Sequence, residues 1–73
     1  MITRKQIEEL RFVYKQRLIS GQLEFVNDEI KTMITLSLEG TVGVICRNYK
    51  KSWGNINSIN EVEKIIESIK NKI

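Results

Sequence analysis

The chain has 73 residues, 41% of them apolar and 29% charged, which suits one ordinary globular domain and is too short for two independent cores. It holds no histidine, no proline, one aspartate (Asp28) and one cysteine (Cys46), so imidazole catalysis, an internal disulfide and zinc-ligand spacing are excluded on inventory. The net charge of +3 is segregated, with residues 1–20 at +3, 21–40 at −3, 41–56 at +3 and 57–73 at zero, which permits an anionic partner without demanding one.

Thr3 and Gln6 form a capping-box pattern flanked by Ile2 and Ile7 at the staple positions, so a helix is expected to start at Thr3. Ile7, Leu10, Tyr14 and Leu18 fall on one helical stripe, and Ser20-Gly21 supplies a stop. The spacing therefore predicts a helix over 4–19.

Ile30 to Leu36 and Thr41 to Tyr49 are rich in β-branched residues and are separated by Leu38-Glu39-Gly40, with glycine where a bulged turn needs positive φ. These are two strands of a hairpin. With Ser37 opposite Thr41, Leu36 faces Val42, Ile34 faces Val44 and Thr32 faces Cys46 on the core side. The other side then carries Thr35 opposite Gly43, Met33 opposite Ile45, Lys31 opposite Arg47 and Glu29 opposite Tyr49. Residues 23–26 can add a strand before the hairpin and 53–56 a short one after it.

The last element is a helix over 59–72. Its apolar stripe is Ile59, Val62, Ile65, Ile66, Ile69 and Ile73, and Ser58 with Glu61 is a second capping box. The expected fold is one α+β domain over 1–73, α-β-β-β-α, an antiparallel meander of three strands or four, with both terminal helices on one face.

Enzymatic readings lack groups to carry them. No histidine can activate Cys46, the hairpin register points its thiol inward, and the glutamates of the last helix are spaced as dipole partners and lysine pairs. No cofactor is implied. Gly40-Thr41-Val42-Gly43 lacks the lysine of a phosphate loop and precedes a strand, so it reads as a turn.

Two surfaces remain. Lys31, Arg47, Tyr49, Lys50, Lys51 and Trp53 join cations that attract phosphate to aromatics that stack on bases, and are candidate ligand-binding residues for nucleic acid or a nucleotide. The plainer alternative is a solvated ion-pair cluster in which Glu29 answers Arg47 and Trp53 anchors the core. Phe12 and Ile19 point away from the stripe of the first predicted helix, and Met33 and Ile45 occupy the sheet face away from the helices. With Arg11, Lys15 and Arg17 around them, they form a candidate protein interface.

A chain of this size buries only roughly 60% of its unfolded surface, which favours self-association. The expectation is a non-catalytic, stoichiometric binding protein, homo-oligomeric and cytoplasmic, an inhibitor or adaptor directed at a host protein. The rival is a nucleic-acid or nucleotide binder. No apolar run approaches the ~20 residues of a membrane span, and the charged start does not resemble a signal sequence. Twelve isoleucines, eight lysines and six asparagines beside no alanine point to AT-rich coding DNA, as in a low-GC bacterium or its phage.

Overall fold

A computed structural model describes residues 1–72 of the chain. The element order is α1 (Arg4–Glu9), β1 (Val13–Arg17), β2 (Leu23–Asn27), β3 (Thr32–Leu36), β4 (Val42–Cys46), β5 (Lys51–Ile56) and α2 (Ile59–Asn71). The five strands form one antiparallel sheet in sequence order, so the α+β meander holds with five strands rather than three or four.

The first helix starts as its capping box dictates. The Thr3 amide donates to Gln6 Oε1 at 2.9 Å and the Gln6 amide donates to Thr3 Oγ1 at 3.4 Å. Its last residue is Glu9, ten short of the predicted Ile19, with Leu10 as the cap. Arg11 enters the left-handed region (φ 70°) and its amide closes the last turn onto the Glu8 carbonyl at 3.0 Å. Beyond it, Phe12, Val13 and Tyr14 are strand-favouring types, and β1 pairs with β2 through Val13–Val26, Tyr14–Phe25 and Arg17–Leu23. Every residue of β1 is exposed, so ladder hydrogen bonds rather than burial hold it. Local helical spacing loses to the backbone pairing that β2 offers along its whole length.

The β3–β4 hairpin adopts the expected register at all five pairs, from Leu36–Val42 to Thr32–Cys46. Gly40 sits at φ 84°, and its carbonyl accepts the Ile2 amide at 2.9 Å, which ties the amino-terminal segment to the turn. The ladder ends at Thr32–Cys46, so the strands are shorter than predicted at that end. Residues 28–31 and 47–50 are turns, and Glu29 and Tyr49 do not form a ladder pair. In β5 the regular pairs Cys46–Lys51 and Ile45–Ser52 set Trp53 opposite Val44, and a bulge with Asn55 at φ 55° then returns Ile56 to the core side opposite Val42.

One core follows from this register. Phe25, Ile34, Leu36, Val42, Val44, Cys46 and Ile56 from the sheet meet Ile7 from α1 and Val62, Ile66 and Ile69 from α2, with Ile2, Phe12 and Ile30 closing the edges. Both helices thus serve the same sheet face, and each such side chain contributes about 1.5–3 kcal/mol on burial. Ile59 and Ile65 pack partly against this core, while Ile73 of the predicted stripe lies outside the described residues. The predicted Ser58–Glu61 capping box does not form: Ser58 makes no side-chain cap bond, and its carbonyl takes the Glu61 and Val62 amides at 3.1 and 3.3 Å. Among the described residues no helix is long and apolar enough to cross a membrane.

Candidate anion-binding pole

The meander puts the β2–β3 turn (28–31) and the β4–β5 turn (47–50) at the same end of the sheet. Asn27 shapes the first of them, its Oδ1 accepting the amides of Glu29 at 3.0 Å and Ile30 at 3.4 Å. The Arg47 amide then donates to the Lys31 carbonyl at 3.0 Å, which fixes one turn against the other. Lys31 (φ 53°) and Lys50 (φ 51°) close their turns in the left-handed region.

Two further segments reach this end. Arg11 leaves α1 there, and the last turn of α2 arrives from the other side: Lys70 and Arg11 line one cleft with Asn27, Glu29 and Ile30, and Lys72 Nζ lies 5.7 Å from the Tyr49 ring. Segments 11, 28–31, 47–51 and 70–72 together carry seven cations and two carboxylates, an excess of five charges at one end of a chain whose net charge is +3. Among the described residues the one ion pair here joins Arg47 Nη2 to Asp28 Oδ1 at 3.7 Å, with both groups exposed and hence weakly coupled. Arg11, Lys31, Lys50, Lys51, Lys70 and Lys72 have no carboxylate within salt-bridge distance among the described residues. Tyr49, an exposed aromatic, stands among them.

Of the predicted ligand-binding residues, Lys31, Arg47, Tyr49, Lys50 and Lys51 are brought together. Trp53 is not at the surface of the pole. It is half-buried against the core, with Lys51 Nζ 5.1 Å from its ring, because the regular ladder from Cys46–Lys51 to Val44–Trp53 puts it on the core side. Asp28, not Glu29, answers Arg47. Lys70, Lys72 and Asn27 were missed, since the basic end of α2 reads from sequence as a dipole partner and its nearness to the turns is a tertiary fact.

The predicted protein interface is dispersed. Phe12 is only 2% exposed and belongs to the core, because the chain leaves the helix before reaching it. Arg11 joins the basic pole, Arg17 ends edge strand β1, and Ile19 is fully exposed in the β1–β2 turn at the opposite end. Lys15 approaches Glu24, Nζ to Oε1 3.8 Å, and Gln16 Nε2 donates to the same oxygen at 3.0 Å. Met33 and Ile45 do stand side by side on the helix-free face, and the register extends them into the row Val13–Val26–Met33–Ile45, which includes two residues the sequence did not single out.

Cys46 is fully buried as a free thiol, and no group of three or more acidic or cysteine side chains among the described residues is placed to hold a metal ion. Comparison of the chain with protein-family models, curated proteins and solved structures finds no match in any of the three.

Proposed function

We propose that the chain is a non-catalytic binding protein that holds single-stranded nucleic acid stoichiometrically across its basic pole. The observation that carries this reading is the gathering of cations from four separate segments at one end of the sheet, with the exposed Tyr49 on one of those turns and Lys72 Nζ 5.7 Å from its ring. Cations track phosphates, while an exposed aromatic stacks on a base only where that base is not already stacked in a duplex, which favours a single strand. The reading sets the chain in the cytoplasm, supported by its unpaired thiol. A role in sequestration for a phage or mobile element of a low-GC host rests on composition alone.

The test is fluorescence anisotropy of a short labelled single strand against protein at several salt concentrations. Neutralising four to six phosphates predicts a log–log slope of about −3 to −4. No anisotropy change at low salt would remove the reading.

A second reading is an inhibitor or adaptor that docks a host protein, or its own copy, on the helix-free face. The row Val13–Val26–Met33–Ile45 favours it, with Val13 and Ile45 exposed. Met33→Lys with Ile45→Lys should then lower the assembly mass in native mass spectrometry and abolish capture of a protein partner. An unchanged mass together with unchanged capture counts against it.

A further inference from the structure

Beside the two turns lies a cleft of about 410 Å³ formed where three parts of the fold meet: Arg11 from the α1–β1 junction, Asn27 at the end of β2 with Glu29 and Ile30 of the turn after it, and Lys70 from α2. That volume lies within the range of small-molecule sites. We propose that this cleft takes a phosphomonoester, the terminal phosphate of a strand or a free nucleoside monophosphate. The inference rests on the basic-pole reading for its setting but on different side chains for its chemistry.

The cleft is rich in donors. Arg11 and Lys70 come from elements far apart in sequence, and neither has a carboxylate within salt-bridge distance among the described residues. Asn27 is nine-tenths buried, and its Oδ1 is occupied by two backbone amides of its own turn. No buried side-chain nitrogen or oxygen among the described residues lacks a partner, so the Nδ2 of Asn27, whose side chain lines the cleft, is a donor reached by solvent there rather than one stranded in the core. A guanidinium, an ammonium and an amide make a set suited to phosphoryl oxygens.

Arg11 holds φ 70° at the end of α1, where glycine is the usual occupant and a large side chain is disfavoured. Glu29 supplies the opposing charge. One carboxylate against two cations leaves the cleft with a single positive excess, which favours an anionic group over a neutral one.

The test is amide NMR on the full chain, titrated separately with inorganic phosphate, a nucleoside 5′-monophosphate and the unphosphorylated nucleoside. Phosphate and the monophosphate should shift the amides of Arg11, Asn27, Glu29, Ile30 and Lys70 saturably, and the nucleoside should not. Arg11→Gly keeps a residue suited to the left-handed backbone, so the fold should persist while monophosphate affinity falls about tenfold, the factor one charge-assisted hydrogen bond supplies. Lys70→Gln should weaken binding similarly, and Glu29→Gln should strengthen it. Tighter binding of a 5′-phosphorylated oligonucleotide than of its 5′-hydroxyl form would assign the site to strand ends, and equal binding of the two beside monophosphate binding would assign it to free nucleotide. Unmoved cleft amides, or Arg11→Gly binding as the native chain does, would overturn the inference. Oligonucleotide binding by the same sample would show that the wider basic-pole reading had survived that failure.

Discussion

The backbone amide of Arg47 and the carbonyl of Lys31 are joined by a 3.0 Å hydrogen bond, the link that holds the two basic turns as one surface. The cations it brings together lie on the outside of the turns, so they can be removed without opening the core. Substituting Lys31, Arg47 and Lys50 by Gln together should lower the salt slope of oligonucleotide binding by about 2, at 0.7 per phosphate contact on a single strand. Anisotropy across a salt series, with thermal melting as the check on folding, measures both effects.

Strain and binding should trade against each other at the same turns. Lys31→Gly and Lys50→Gly place glycine where φ is 53° and 51°. Relief of a left-handed side chain of about 1–2 kcal/mol, less glycine's backbone entropy of about 0.5–1 kcal/mol, leaves each variant more stable by about 0.5 kcal/mol. Urea midpoints should rise while oligonucleotide affinity falls; a fall in both would mean that these lysines hold the turns together.

Phe12 and Ile19 should now behave oppositely. Phe12→Ala removes a core side chain and should cost about 3–5 kcal/mol, enough to unfold much of a domain this small. Ile19→Asp alters a fully exposed turn residue and should stay within about 0.5 kcal/mol of the native chain. Chemical denaturation separates the two in one experiment.

Gly40 and Gly21 both hold positive φ, 84° and 93°, but differ in what lies above them. A Cβ at Gly40 would run into Met1, whose neighbour Ile2 is bonded to the Gly40 carbonyl, while at Gly21 it would meet only the end of the Leu38 side chain at 3.3 Å. Both alanine variants carry the left-handed cost of about 1–2 kcal/mol. Gly40→Ala should lose more, because it also displaces the amino-terminal segment, and equal midpoints for the two would refute the tie between Met1 and the turn.

The two caps give a third contrast. Thr3→Ala removes an acceptor for the Gln6 amide and should cost about 1 kcal/mol. Ser58→Ala should cost nearly nothing, since no side-chain bond is lost there. Comparison of their urea midpoints decides the point.

The hairpin register and the last helix were legible in the sequence because one cause governs each of them: the position of Gly40 with two-residue alternation in the first case, and an unbroken isoleucine-rich stripe in the second. β1 was not legible. Its residues are all exposed and carry no burial pattern, while Ile7, Leu10, Tyr14 and Leu18 mimic a helical stripe across a real break at Arg11. The basic pole was half legible: Lys31 and the 47–51 run are close through the hairpin, whereas Arg11 and Lys70 join them only through packing.

What the sequence determined by itself was local: caps, turn glycines, the alternation that sorts a strand into two faces, and the residue types available for chemistry. Only the tertiary structure decided that residues 13–17 would be a strand, that Phe12 would be buried, and that Arg11 and Lys70 would line the same cleft. The physical reason is that a backbone edge such as that of β2 satisfies a neighbour's hydrogen bonds whatever its side chains, so pairing can override a local period that neighbouring residues alone would suggest.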